Sequence, residues 1–375
     1  MTDPKRVAFV YTRGRSARAE SGKNIPDDFF YGFIQAKANG YSARIYEQEK
    51  PLKTIPILKR LNFWIQDRLF AHGLGIGFST PYLFGHLPSL QTEDTCIGIA
   101  DTIGLALAYF KSKGWLKTRI LFVGMGLANR LWLMRNTPQY YIFRAICRKL
   151  LRSCDSIVLL GEGERRFYES EMPELKTRLE LIPFGVDTSF WTPEPSLEQR
   201  KLNRPRVLFV GNDLNRDFKL VLEIARNLPE VTFEFVTNQI REDQISSNVT
   251  LLQGSLHSKA LSDEELRDRY RKSTLTILPL KPSIQPSGQS VCLQAMACGS
   301  PVLISKTAGF WEPEFITENL HLAFVHSENV SEWVKKISNL IEDPRMRDTL
   351  SEQGRSIVLA RYTSDIFSRR LLSLI

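Results

Sequence analysis

A chain of 375 residues is long enough for two domains of ordinary size. It contains no apolar run near the ~18–20 residues of a membrane span, and its first apolar run, 7–11, is too short for a signal peptide and lacks a small-residue cleavage site. The net charge of +9 is uneven, because residues 1–200 hold 28 Lys+Arg against 20 Asp+Glu and the remainder is almost balanced. The first half is therefore the part expected to meet something anionic: a membrane surface, a phosphate-bearing acceptor or a nucleic acid. Its five cysteines, Cys96, Cys147, Cys154, Cys292 and Cys298, form no C-x-x-C pair. That scatter argues against a disulfide framework or a zinc site and fits a reducing cytoplasm.

Short β-branched runs alternate with longer helical patterns. Strands are predicted over 7–11, 43–46, 95–100, 120–123, 156–160 and 179–182. A polar, Gly-containing loop over 13–26 separates the first strand from a helix over 27–39, capped at its start by Asp27 or Asp28. Further helices are predicted over 57–70, 102–113, 139–152 and 162–169. The first of these mixes Lys59, Arg60 and Arg68 with Phe63, Trp64 and Phe70, and the third carries Arg144, Arg148, Lys149 and Arg152. Either basic helix suits an anionic membrane surface, and equally a sheet-packed helix with a charged outer face.

Pro183, Pro193, Pro195 and Pro205 then punctuate a stretch of little periodicity, which marks a boundary. Beyond it the alternation restarts, with strands over 207–210, 232–236, 249–252, 275–278, 301–304 and 323–325. Helices fall over 218–227, 262–271, 291–298, 330–341, 344–359 and 364–374, and Ser262 and Glu265 are spaced as a capping box. Two successive β-α alternations imply two parallel-sheet α/β domains. The expected division is 1–185, a linker over 186–205, a second domain over 206–360, and a C-terminal helix over 361–375 that packs back on the first domain.

The most informative stretch is 285–309, QPSGQSVCLQAMACGSPVLISKTAG. It reads as a small-residue loop, a short helix stopped by Gly299, a buried strand and a second turn. The start of such a helix offers free backbone N–H groups and the positive end of the helix dipole, which suits a phosphate. Gly288, Gln289 and Ser290 supply the N–H groups, and the Ser287 and Ser290 hydroxyls add donors.

Several runs together resemble the GT-B-fold, retaining glycosyltransferases of family four, the glycosyl transferases group 1. These are Ile182-Pro183-Phe184-Gly185-Val186-Asp187 with Phe190 and Pro193, then Val207-Leu208-Phe209-Val210-Gly211, and Gln294-Ala295-Met296-Ala297-Cys298-Gly299-Ser300-Pro301-Val302. The resemblance is strong over 180–310 and weak in the N-terminal domain. It implies two Rossmann-like domains facing across a cleft, a nucleoside-diphosphate sugar as donor, a hydroxyl acceptor (glycan, lipid or small molecule) and transfer with retention; the sequence shows no metal-ligating cluster, so no metal or cofactor is expected. In cellular terms it implies a cytoplasmic hexosyltransferase of glycan, glycolipid or polysaccharide biosynthesis, peripheral on the inner membrane face.

The family brackets its signature loop and helix with a Glu-x7-Glu pair. Here Gln294 and Pro286 occupy those places. Gln294 retains hydrogen-bonding capacity toward a ribose hydroxyl but supplies no negative charge. Where the family carries an Arg after the first strand of its donor domain, this chain has Asn212 following Gly211. Arg216 and Lys219 are the nearby cations, Arg216 being the better candidate because its fork can bind two phosphate oxygens, with Asp213 and Asp217 placed to orient it, and Lys281 is a third. In the N-terminal domain the corresponding loop contains Gly14 and Gly22. Asp101 closes the strand 95–100 where some members carry a histidine, and reads as a partner for the acceptor hydroxyl or as a helix N-cap. The missing carboxylates leave a second reading, a catalytically silent GT-B protein that binds a nucleotide sugar or glycan. A sugar-nucleotide epimerase ranks lower because it needs cleft carboxylates, and nucleic-acid binding lower still.

Overall fold

A computed structural model describes residues 3–21, 24–48, 80–194, 204–253 and 261–375. The chain forms two compact units, one comprising Met1–Lys23, Phe30–Pro183 and Ser368–Ile375, the other Asn24–Phe29 and Phe184–Phe367. The helix expected over 57–70 lies outside the described residues.

The first unit holds six parallel strands: β1 (Arg6–Tyr11), β2 (Ser42–Glu47), β3 (Thr95–Ile99), β4 (Arg119–Val123), β5 (Ser156–Leu159) and β6 (Leu179–Leu181). They lie in the order β2-β1-β3-β4-β5-β6, with Val7 beside both Ala43 and Thr95. The inner strands read as continuous apolar runs because helices cover both faces of a parallel sheet. The helix Asp101–Ser112 comes so close to β4 that a Cβ on Gly104 would fall 1.9 Å from the Phe122 ring. Only glycine permits that approach.

The second unit holds β7 (Arg206–Val210), β8 (Thr232–Val236), β9 (Val249–Leu252), β10 (Leu275–Leu278), β11 (Val302–Ser305) and β12 (Ala323–Val325). All pair in parallel in the order β12-β11-β10-β7-β8-β9. Phe209, Phe233 and Phe235 stack edge to face through its core, which Trp333 and Ile337 close from the helix Val330–Glu342. The Ser262 capping box forms as expected, with both of its reciprocal hydrogen bonds present.

Several elements differ from the sequence expectation, among them short helices, Thr80–Leu83 and Leu87–Leu90, that no predicted segment covers. The helix foreseen over 27–39 divides into a 3-10 turn, Asp28–Phe30, and a helix, Phe33–Ala38, because Tyr31 and Gly32 both adopt positive φ (48° and 89°) and break the spiral between them. The Asp28 side chain therefore caps no helix. Within 13–26 a short helix, Arg15–Glu20, follows Gly14, and a helix Leu127–Met134 follows β4. Both were hidden by flanking glycines and short length.

The arginines of Gln139–Leu151 do not form a free basic face. Arg144 pairs with Glu171, while Arg148 and Arg152 pair with Glu174. Tyr141, Ile142 and Ile146 on this helix, and Leu133 before it, face solvent instead. No described helix is long and apolar enough to cross a membrane.

Candidate donor site

In the second unit the strand order reverses direction between β7 and β10. Ligands in open α/β sheets bind beyond the carboxyl ends of strands at such a switch point. Two loops meet there, 211–217 after β7 and 279–288 after β10. Their backbones are stitched together, since Asp217 N–H donates to the Pro279 carbonyl at 3.0 Å and Lys281 N–H to the Asn215 carbonyl at 2.9 Å. The Asn215 amide adds hydrogen bonds to Ser287 Oγ (2.9 Å) and Gln285 Oε1 (3.2 Å). Gly309 lets the second loop sit down, because a Cβ there would fall 2.1 Å from the Gln285 carbonyl oxygen.

Arg216 occupies the centre of this stitching. Its side chain is 3% exposed, folds back over Gly211, and donates from Nε to the Val210 carbonyl at 3.4 Å. A Cβ at position 211 would lie 2.3 Å from that Nε, so Gly211 is required by the path of Arg216. The far end of the guanidinium reaches the other loop, where a Cβ on Gly288 would be 3.2 Å from Nη1. Nη1 lies 3.2 Å from Asp213 Oδ2, within ion-pair range, yet it is buried without an aligned hydrogen-bond acceptor among the described residues. A buried donor in that state is costly unless a ligand completes it.

Gly288 also sets the helix start. It takes the left-handed conformation (φ 78°) as N-cap of Gln289–Ala297, and no side chain caps that end among the described residues. Of the three N–H groups expected to serve a phosphate, that of Gln289 is turned to the Pro286 carbonyl at 3.3 Å by the tight loop before the helix, so the place beside the Arg216 guanidinium falls to the others of the first turn. Ser287 accepts from Asn215, which leaves its hydroxyl proton to donate elsewhere. A cationic fork, a helix N-terminus without a side-chain cap and the Ser287 hydroxyl in one corner make an anion seat.

The remaining candidates are dispersed. Lys219 projects into solvent with its side chain 87% exposed, 3.9 Å from Glu223. Asn212 turns toward the loop after β8, where its Oδ1 accepts from Asn238 N–H at 2.6 Å and the Thr237 hydroxyl at 3.2 Å. Lys281 donates to the Leu214 carbonyl at 3.2 Å, at the rim of the seat. Asp217 caps the helix Phe218–Arg226 through Leu220 N–H, and of the two aspartates it is Asp213 that addresses Arg216. Gly14 has positive φ (86°) with open space around its Cα, and Gly22 lies outside the described residues.

Asp101 belongs to the first unit and opens the helix Asp101–Ser112 after Ala100, which is held at φ 83°. Its carboxylate accepts from Met125 N–H at 2.9 Å, thereby fastening the loop after β4. Burial pushes its pKa up to about 6, opposed by that backbone bond and by Arg130. Glu164, buried nearby, is pushed well above the carboxylate range by burial and by the Asp101 charge.

Sequence reasoning missed Asp28. It is 3% exposed, and its carboxylate accepts from Trp191 Nε1 (2.7 Å), Gln294 Nε2 (2.8 Å) and Asp187 N–H. Burial pushes its pKa up to about 7 despite these three donors. The Asp187 carboxylate meanwhile shapes the turn leading to Trp191, accepting from Ser189 N–H and Phe190 N–H. The available signal was indirect: Gln294 lacks the charge its position usually carries, and an acid had to be sought elsewhere in the chain.

The two parallel sheets, with the seat on the second, define a GT-B architecture. Residues 196–357 match the sequence family described as glycosyl transferases group 1. A probable sucrose-phosphate synthase of Thermosipho melanesiensis is 26% identical over 230 residues, 57% of this chain and 52% of that protein. A GDP-mannose-dependent alpha-(1-6)-phosphatidylinositol monomannoside mannosyltransferase of Mycolicibacterium smegmatis is 21% identical over 253 residues, 62% of this chain and 65% of that protein. The matches thus span between half and two thirds of these curated relatives. Among solved structures, the sucrose-phosphate synthase of Thermosynechococcus elongatus superposes with a TM-score of 0.72 at 16% identity, covering 99% of this chain and 98% of its own. Anabaena HepE in complex with UDP-glucose gives 0.67 at 12% identity, covering 98% of each chain.

Proposed function

We propose that the protein is a hexosyltransferase that moves a sugar from a nucleoside-diphosphate sugar to a hydroxyl acceptor with retention, in glycan, glycolipid or polysaccharide biosynthesis. The observation that carries this reading is the buried Arg216 guanidinium beside the uncapped helix start at Gly288. That pair suits a diphosphate, and the solved neighbour that holds UDP-glucose supports a nucleotide sugar in particular. In the reaction, the bond from the anomeric carbon to the diphosphate oxygen breaks. A bond from that carbon to the acceptor oxygen forms on the same face, and the acceptor proton passes to the departing phosphate. Arg216 and the helix-end N–H groups stabilise the charge that develops on the leaving group. This front-face course uses no enzymic nucleophile and no resident metal. Donor hydrolysis or transfer that disappears in Arg216→Ala supports the proposal.

The absence of acids at Pro286 and Gln294 favours one alternative, a silent GT-B protein that binds a nucleotide sugar or glycan. Tight nucleotide binding without turnover across a donor and acceptor panel identifies it. A peripheral position on the inner membrane face is part of the proposal, and the apolar outer face of Gln139–Leu151 is its support.

A further inference from the structure

Gln294 carries an amide where the resembling family carries an acid, and the carboxylate that meets this amide comes from 266 residues earlier in the chain. Once ionised, above about pH 7, Asp28 only accepts hydrogen bonds and so dictates which way the amide faces: Nε2 turns toward Asp28 and Oε1 turns away. Trp191 Nε1 donates to the same Oδ2 as Gln294, and Asp187 N–H holds Oδ1, so the position of Asp28 is fixed. Among the described residues, Gln294 Oε1 receives a long contact from the Tyr270 hydroxyl, at 3.5 Å. Negative charge on the N–H side of an amide also polarises its carbonyl and strengthens it as an acceptor. An amide held in this way presents one oxygen with the orientation and part of the charge of a carboxylate.

We propose that Asp28 is a positioning residue for the ribose of the donor, locking Gln294 so that its Oε1 accepts from a ribose hydroxyl, and that the Asp28–Gln294 pair thus replaces a single glutamate. The proposal rests on the reading of Gln289–Ala297 as a donor-binding helix. It accounts for how a chain lacking the family's second acid keeps an acceptor at that place. It also explains why a buried acid with three donors is built into a segment, Asn24–Phe29, that groups with the second unit while its flanks group with the first.

The test is calorimetric binding of UDP and GDP, each beside its 2′-deoxy and 3′-deoxy counterparts, to the full chain at a pH well above 7, where Asp28 is ionised. Wild type should bind the ribonucleotide ~10-fold more tightly than one of the deoxy forms, the effect of one well-oriented neutral hydrogen bond. In Asp28→Asn that ratio should fall below ~2-fold, the ribonucleotide having lost affinity. The exchange Asp28→Asn with Gln294→Glu should restore it. Loss of fold alone does not selectively erase a hydroxyl preference. If Asp28→Asn does not fold, Gln294→Met carries the same expectation. A folded Asp28→Asn or Gln294→Met variant that keeps the wild-type ratio overturns the proposal. So does wild-type indifference to both hydroxyls when binding is still lost in Arg216→Ala, an outcome that leaves the donor reading standing. Wild type that binds none of these nucleotides overturns the donor reading and the proposal together.

Discussion

Arg216 lies across Gly211 so closely that a Cβ at 211 would stand 2.3 Å from Nε. The two residues act as one part, with the glycine clearing the path and the arginine filling it. Gly211→Ala should therefore displace the guanidinium and weaken nucleotide binding by ~10–100-fold, close to the loss in Arg216→Ala. The double variant should be no worse than either single one, because both remove the same contact. Titration calorimetry on the three variants measures this, and additive losses would show that the residues act separately.

Gly288 should also resist substitution, for a second reason. Its φ of 78° is strained for any residue with a Cβ, at about 1–2 kcal/mol. Gly288→Ala should lower the denaturation midpoint by that order and weaken the nucleotide by more than Gly14→Ala does. Gly14 has the same handedness, but its Cβ would meet nothing within 4 Å. Urea unfolding beside nucleotide titration separates the two effects.

Asp28 gives stability a pH dependence of definite sign. Burial on folding raises its pKa from the ordinary aspartate value of 3.8 to about 7. Its contribution is therefore fully present below about pH 4, declines as pH rises, and is lost above about pH 7. Across that window the decline approaches about 1.4 kcal/mol per pH unit. Wild type should thus lose stability relative to Asp28→Asn between pH 5 and pH 8. Chemical denaturation of both at several pH values measures the difference, and a constant gap would contradict the assignment.

The helix Gln139–Leu151 makes a further separable prediction. Arg144, Arg148 and Arg152 are occupied by Glu171 and Glu174, whereas Ile142 is 67% exposed. If this face meets a membrane, it does so by apolar insertion. Ile142→Glu with Ile146→Glu should reduce sedimentation with anionic vesicles several-fold, and Arg148→Ala should change it little. The opposite ranking would point to a purely electrostatic contact.

Much of the fold was legible because parallel strands buried on both faces write themselves as apolar runs, such as Val7–Tyr11 and Val207–Val210. The phosphate seat was legible for a local reason: Gly288, the helix after it and Arg216 lie in motifs whose chemistry is contiguous. Asp28 was not, because a buried acid is recognised by what surrounds it, and Trp191 and Gln294 are far away in sequence. Asp101 was half legible. Its place after β3 was read, but its grip on Met125 N–H depends on a strand neighbour that no spacing reveals. The outward apolar face of Gln139–Leu151 was hidden because its arginines looked free until Glu171 and Glu174 were placed beside them.

On this reading the corner between Arg216 and Gly288 holds the diphosphate of a nucleotide sugar. The decisive measurement is a thermal-shift screen of UDP, GDP, ADP and dTDP sugars against wild type and Arg216→Ala. A clear rise in melting temperature with at least one donor in wild type, absent in Arg216→Ala, is the predicted result. No shift with any of them, or an equal shift in the variant, would contradict it.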